Sequence, residues 1–268
     1  MTYPQGGWFF TDTNKISISK IGVVRIGQHR PFPKNTVFKT LTLKRELGKW
    51  YAIICFEIPD RKDKVAVRRA VGIDVGITHF ATLSDETIVE NPRHLKKSES
   101  KLANAQRVLA KKKKRTKDRE KAKIRVARIH RKIANQRTDF LHKVSSKLVD
   151  SYDLIAYEDL KIKNMMQDNQ YHLAKSIGDC SWGRFIAMTG YKAANAGKYA
   201  IAVESRQTTQ RCHNCGTIVA KKLSDRIHNC PVCYIVLDRD LISSKEILRR
   251  GLRLCPSGQE ALGFSHRE

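Results

Sequence analysis

No run of roughly 18 apolar residues occurs in this 268-residue chain, which excludes a membrane-crossing helix. The opening, MTYPQGGWFF, lacks the basic-then-apolar layout of a secretory leader, so the expected setting is the cytoplasm. Acids are scarce: 26 Asp+Glu stand against 52 Lys+Arg, a formal net charge of +26. No amphipathic stretch with an aromatic face stands out as an anchor for an anionic bilayer, and no membrane or small-molecule partner is expected. A polyanion is the remaining partner class, and nucleic acid is the commonest one. The seven cysteines are odd in number, which argues against a disulfide framework in a chain without a leader. The hydrophobic share of 41% suffices for one or two packed domains.

Residues 1–67 read as β-rich. Ile21 to Ile26 is apolar and branched, Pro31-Phe32-Pro33 marks a loop, and Thr36 to Lys44 alternates like a half-buried strand. Glu46-Leu47-Gly48-Lys49 turns into Trp50 to Ile58, a hairpin partner. Arg61 to Arg69 reads as a basic linker. A second unit opens with Ala70-Val71-Gly72-Ile73-Asp74-Val75-Gly76-Ile77, the first of two apolar strands around a glycine-containing turn.

Between His94 and Lys143 there is neither Gly nor Pro, and 19 Lys+Arg face 4 acids, a local net of +15. Leu102, Leu109, Val126, Ile129, Ile133 and Phe140 recur at helical spacing. The like charges of Lys111, Lys112, Lys113, Lys114 and Arg115 interrupt that pattern, which predicts a helical hairpin with a basic tip. Any single lysine there is most simply a solvated charge. Leu154 to Leu160 is another short strand ending in acids, and Asn164 to Gln170 reads as a loop. A helix over Trp182 to Ala196, a strand over Lys198 to Glu204 and a last helix over Leu241 to Arg250 follow. The tail after Gly251 reads as irregular.

Cys212-His213-Asn214-Cys215 and Cys230-Pro231-Val232-Cys233 are two CxxC pairs separated by 14 residues. Each pair lets two thiolates reach one ion from a tight turn, and two such knuckles make a closed, tetrahedral four-cysteine zinc site. Gly216 suits the positive backbone angle a knuckle needs. His213 and His228 could replace a ligand, but four thiolates leave no vacancy. A redox dithiol would need one CxxC, not two. Cys55, on a strand, is expected to be a small buried hydrophobe; Cys180 and Cys255 carry no assigned role.

Three acids stand in unusual surroundings. Asp74 interrupts an apolar strand, Glu158 ends another, and Asp240 lies in Asp238-Arg239-Asp240 where the last helix begins. A buried carboxylate needs a counter-charge, a hydrogen-bond network or a metal. An Asp at a helix start is also a good N-cap, which accounts for one of the two aspartates by itself. Singly, each acid is as well explained by structure as by catalysis. Together, hard carboxylate oxygens from three separated segments can hold two Mg²⁺ or Mn²⁺ ions for phosphodiester hydrolysis. Asp74-Val75-Gly76-Ile77-Thr78 also fits the D-x-G-x-T phosphate loop of actin-like ATPases. That class needs a second glycine-rich phosphate loop, and the sequence has none.

Gly72-Ile73-Asp74-Val75-Gly76-Ile77, Tyr157-Glu158-Asp159-Leu160-Lys161, Thr208-Thr209-Gln210-Arg211-Cys212 and Asp238-Arg239-Asp240 occur in the order and spacing of a known family. The chain resembles the TnpB (OrfB) proteins of insertion sequences, from the strands near residue 20 to about Arg250. The resemblance implies an α/β, RNase H-like (RuvC) nuclease core with an inserted basic helical hairpin and a four-cysteine zinc ribbon, preceded by a small β-rich, wedge-like domain. In those terms residues 1–67 are wedge-like, 68–205 the core with the hairpin at 94–143, 206–236 the zinc insert, 237–252 the last core helix and 253–268 a tail. It implies RNA-guided, metal-dependent DNA cleavage with Asp74, Glu158 and Asp240 as magnesium ligands, and Cys212, Cys215, Cys230 and Cys233 as zinc ligands. Asp240 is preferred to Asp238 because the second Asp of this motif matches the family's catalytic position. The implied partners are target DNA, a guide RNA from the element, and a separately encoded Tyr-transposase; the hairpin tip would face nucleic-acid backbone. A non-cleaving nucleic-acid-binding relative is the alternative. Three departures stand out: only about 67 residues precede the core, so a shortened copy is expected; Leu241-Ile242-Ser243-Ser244 replaces the usual Val-Asn-Ala-Ala; and Tyr234 follows Cys233 where glycine is usual.

Overall fold

The computed structural model describes residues 1–28, 31–57, 63–167, 173–222 and 224–256. The ends of two sequence expectations, at 58–62 and 168–170, and the tail from 257 lie outside the described residues. The β-rich start holds β1 (Thr2–Tyr3), β2 (Trp8–Asp12), β3 (Lys15–Ile18), β4 (Gly22–Arg25), β5 (Phe38–Glu46) and β6 (Lys49–Phe56). These form two antiparallel three-stranded sheets, ordered β1-β5-β6 and β2-β3-β4. Trp8, Ile16, Ile18 and Leu41 are buried between them, with Phe10, Phe38, Ala52 and Ile54 packed against that core. The β5–β6 turn is the expected one: Leu47 and Gly48 both adopt positive φ (50° and 81°), as a two-residue hairpin loop requires. Cys55 is exposed, contrary to expectation. In β6 the even positions Ala52, Ile54 and Phe56 turn inward, so the period of two puts Cys55 outside with Tyr51 and Ile53.

The second unit contains β7 (Ala70–Val75), β8 (His79–Leu83), β9 (Ile88–Glu90), α1 (His94–Ala110), α2 (Lys117–Ser151), β10 (Leu154–Glu158), α3 (Ile162–Gln167), α4 (Ala174–Cys180), α5 (Trp182–Asn195) and β11 (Tyr199–Val203). After it come β12 (Ile227–Asn229), β13 (Val236–Asp238) and α6 (Arg239–Leu254). The central sheet runs β11-β10-β7-β8-β9. β7, β10 and β11 are parallel, β8 runs antiparallel to β7, and β9 antiparallel to β8. One face, carrying Val71, Ile73 and Ile155, packs on Leu141, Leu148, Trp182 and Phe185 of α2 and α5. The other, carrying Leu154, Ala156 and Val203, packs on Ile247 and Leu252 of α6. Strand alternation therefore points Gly72 and Asp74 of β7 toward α6.

The helical hairpin forms as its spacing predicts, with Leu102, Ala105, Ile129 and Ile133 between α1 and α2. Thr116 caps α2 by accepting from Arg119 N at 3.3 Å. The Arg119 guanidinium donates to the carbonyls of Leu109 and Lys112, closing the tip. The segment read as a loop after Asn164 begins instead inside α3, a two-turn helix whose side chains are not buried. Met165 and Met166 gave it too little amphipathic period to be read locally.

Candidate functional site

The three acids meet at the carboxyl ends of the parallel strands. Tyr157 lies opposite Ile73 in register, so Glu158 on β10 stands level with Asp74 on β7 and faces the same side. The helix α6 brings in Asp240. It lies so close to β7 that a Cβ on Gly72 would come within 2.1 Å of Ser244 O and 2.5 Å of Leu248 N. Farther along, a Cβ on Gly251 would come within 2.4 Å of Ala156 Cβ. Two missing side chains thus seat the helix on the sheet, and its first turn, with Asp240, falls toward the end of β7. Of the residues that replace Val-Asn-Ala-Ala, Ile242, Ser243 and Ser244 are fully buried, while Leu241 lines the cleft over the site.

The two aspartates of the third motif divide their roles. Asp238 is the N-cap: its Oδ1 accepts from Asp240 N at 2.8 Å and Leu241 N at 3.3 Å. Asp240 is left for other partners, and Arg239 Nε lies 3.3 Å from its Oδ1. Burial first, then the carboxylates of Glu158 and Asp240, push the Asp74 carboxyl well above the ordinary carboxylate range. Its surface is partly open, while protein surrounds it on most sides. Arg239 opposes that rise; Asp238 adds to it. Burial also raises Glu158, against the Thr208 hydroxyl that donates to its Oε1 and the nearby Arg250.

Above this edge is a cleft of about 280 Å³ lined by Thr78, Thr82, Glu86, Arg226, Asp238 and Asp240, among others. Thr82 is the register partner of Asp74, which places the carboxylate beneath the cleft. The acids do not close on a single point: among the described residues, only the four cysteines bring three or more candidate ligand atoms within 4.8 Å of one another. The acid edge fits hard divalent cations by its oxygen donors, which Arg239 and Arg250 offset in part, across a gap wider than one tight coordination shell.

The cysteine cluster is compact. Cys212 Sγ lies 3.6 Å from Cys233 Sγ, and Cys215 Sγ lies 3.4 Å from Cys230 Sγ. The edge of a zinc–thiolate tetrahedron with bonds of about 2.3 Å is about 3.8 Å, so the four sulfurs fit zinc. The Thr217 hydroxyl and backbone N–H hold the Cys215 thiol down at about 6, whereas burial lifts Cys212 to about 11. Gly216 takes φ +78° and Tyr234 the equivalent φ +57°, so the second knuckle bends as the first does but with a side chain in the left-handed region. His213 and His228 lie outside the set.

Lys111 to Arg115 are all exposed at the hairpin tip. The 17 residues of α1 separate them from the sheet, about 25 Å at 1.5 Å per residue. The structure does not bring the basic tip and the acids together. Sequence reasoning missed Thr208, Arg226 and the seating role of Gly72. The first and third lay inside quoted motifs, but their partners are 50 and 172 residues away. Arg226 is one cation among many, and nothing local distinguishes it.

An acid-edged mixed sheet with a four-cysteine knuckle pair and a basic helical hairpin defines a mixed α/β protein. Residues 53–169 match the family model of the IS605 OrfB proteins, described as "Probable transposase", and residues 182–247 match the Cas12f1-like TNB domain. A Streptomyces pristinaespiralis protein named "Putative RNA-guided DNA endonuclease" is 34% identical over 85% of this chain and 57% of its own length. The Escherichia coli K12 protein "Putative RNA-guided DNA endonuclease InsQ" is 31% identical over 96% of this chain and 67% of its own. The chain thus spans between about half and two thirds of these curated relatives. It belongs to the OrfB/TnpB family. A solved Cas12f1–sgRNA–target DNA complex is similar at 16% identity and TM-score 0.48, over 78% of this chain and 57% of that one.

Proposed function

We propose that this chain is an RNA-guided DNA endonuclease with an RNase H-like, RuvC-type core. The observation that carries the reading is the convergence of Asp74, Glu158 and Asp240 from two parallel strands and a helix start at one sheet edge. The sheet order, with the first acid on the central strand and the second beside it, supports the RNase H-like assignment. The three carboxylates would hold Mg²⁺ or Mn²⁺, which supplies an activated water and neutralises charge for phosphodiester hydrolysis. Thr208 fixes the Glu158 carboxylate, Gly72 and Gly251 seat α6, and Asp238 frees Asp240 by taking the cap. Arg226 lines the cleft where a phosphate would enter, an opposite charge to the acids. Cys212, Cys215, Cys230 and Cys233 would hold a structural Zn²⁺.

Guide RNA and target DNA are the proposed partners, as the names of the two relatives suggest. Lys111, Lys112, Lys113, Lys114 and Arg115 would meet nucleic-acid backbone, with affinity that falls steeply with salt. The test combines purified chain, Mg²⁺, RNA from the 3′ end of the element and matched DNA. Cleavage is expected, with a loss of at least ~10³-fold in Asp74→Ala. Cleavage equal in the two proteins contradicts the reading; binding without cutting supports a non-cleaving relative.

A further inference from the structure

A second cleft, of about 500 Å³, opens beyond β11 and is lined by Arg206, Arg211, Arg249, Arg250 and Arg253 around Glu246. Glu246 is wholly buried. Its Oε2 accepts from Arg249 Nε at 2.6 Å, and its Oε1 accepts from Arg249 at 2.7 Å and from Arg250 Nε at 2.8 Å. Arg250 also donates to the carbonyls of Glu204 and Arg206 at 2.7 and 2.9 Å, tying α6 to the loop after β11. One carboxylate therefore orders two neighbouring guanidiniums, while Arg206 and Arg253 stay exposed. A buried acid that serves only to hold arginines costs desolvation and is recovered by its bidentate geometry. Five arginines face two acids, so the cleft remains cationic after its internal pairing.

Its position gives it a direction. Glu158 is the register partner of Val203, the last residue of β11, and Arg250 reaches the carbonyls of Glu204 and Arg206 just beyond that strand. The carboxyl ends of β7, β10 and β11 form one edge, with the acids at one end and the arginine cleft at the other. We propose that this cleft is a phosphate-holding subsite for the DNA strand whose phosphodiester enters the acid cleft, and that Glu246 is the positioning residue that presents its guanidiniums. The role in cleavage rests on the nuclease reading; phosphate binding does not. Arginine suits it because its planar donors match phosphate oxygens in pairs.

The test measures binding of the full chain to a fluorescein-labelled 20-nucleotide single-stranded DNA across salt, without added Mg²⁺. Glu246→Gln removes a negative charge, so a merely electrostatic surface binds more tightly, whereas loss of a positioned pair weakens binding about 3- to 10-fold, the scale of one charge-assisted contact. The exposed pair Arg206→Ala/Arg253→Ala, which removes no internal bond of Glu246, keeps the interpretation open if Glu246→Gln unfolds. It is expected to reduce the slope of log K against log salt by about 1.4, two phosphates at about 0.7 each. An RNA of the same sequence is the comparison arm: the pair variant should cost DNA binding at least as much as RNA binding. In Mg²⁺-dependent cleavage the pair variant should raise KM with kcat unchanged. Tighter DNA binding by folded Glu246→Gln, an unchanged salt slope in the pair variant, or a loss confined to RNA overturns the proposal. Absence of cleavage in the unaltered chain would count against the nuclease reading and leave the binding result intact.

Discussion

The carboxylates at the sheet edge and the cations at the hairpin tip have opposite signs and are built in opposite ways. Asp74 and Glu158 are set by strand register, and Asp240 by a helix pressed onto glycine, so backbone packing fixes all three. Lys111 to Arg115 sit on a short solvated turn closed chiefly by Thr116 and Arg119. Like charges forced together and away from water raise one another's pKa and weaken the fold. Like charges on a solvated turn are cheap, because water and salt screen them. Charge that is costly needs a counter-charge or a ligand, which is why we place the proposed chemistry at the acids and not at the more numerous lysines.

Removing metal from the proposed zinc site should have the largest effect on this contrast. Structural zinc contributes about 10–16 kcal/mol of binding free energy in comparable modules, and β13 of this module carries Asp238, the cap of α6. Chelation is expected to expose residues 206–236 to trypsin and to abolish cleavage, while the α1–α2 hairpin keeps its helical circular dichroism. Survival of cleavage after complete zinc removal would separate the module from the acid edge.

Gly72→Ala comes next. Its methyl would meet backbone atoms of α6 at 2.1 and 2.5 Å, which cannot swing aside as a side chain can. A loss of about 3 kcal/mol or more in denaturant unfolding is expected, at the upper end of overpacking costs. Alanine at all of Lys111 to Lys114 should leave stability within ~0.5 kcal/mol and lower only the salt slope of nucleic-acid binding. If the two changes cost the same stability, the distinction between packed and solvated charge fails. A smaller effect than that of Gly72→Ala, and of opposite sign, is expected at Tyr234, whose side chain is 81% exposed and whose φ is +57°. Tyr234→Gly should raise the thermal midpoint of the zinc-bound protein by relieving about 1 kcal/mol of left-handed strain.

Much of this arrangement is legible locally. The absence of Gly and Pro from 94 to 143 and the spacing of Ile129 and Ile133 suffice for the hairpin, and the tandem CxxC pairs for the cysteine cluster. Asp74 and Glu158 stand out because a carboxylate at an apolar strand is costly. What is not legible depends on partners far away in the chain. Cys55 is exposed because the register of β6 puts odd positions outside, and a run of apolar neighbours hides that alternation. Glu246 looks like one more acid of a surface helix until Arg249, Arg250 and the β11 loop enclose it. Helix α3 is too short for its period to be read.

Thermal unfolding of the wild-type chain and of Asp74→Asn, each with and without millimolar Mg²⁺ and with zinc retained, tests the acid edge most directly. The folded-state pKa of Asp74 is raised, so its stabilising contribution is present below the ordinary carboxylate pKa and is lost as pH rises through the raised value. At neutral pH without Mg²⁺, Asp74→Asn should therefore melt higher than wild type, with the gap closing as pH falls toward 4. Mg²⁺ should raise the wild-type midpoint by mass action and leave Asp74→Asn almost unmoved. A lower midpoint for Asp74→Asn, or an equal Mg²⁺ shift in both proteins, would contradict a cation site at Asp74.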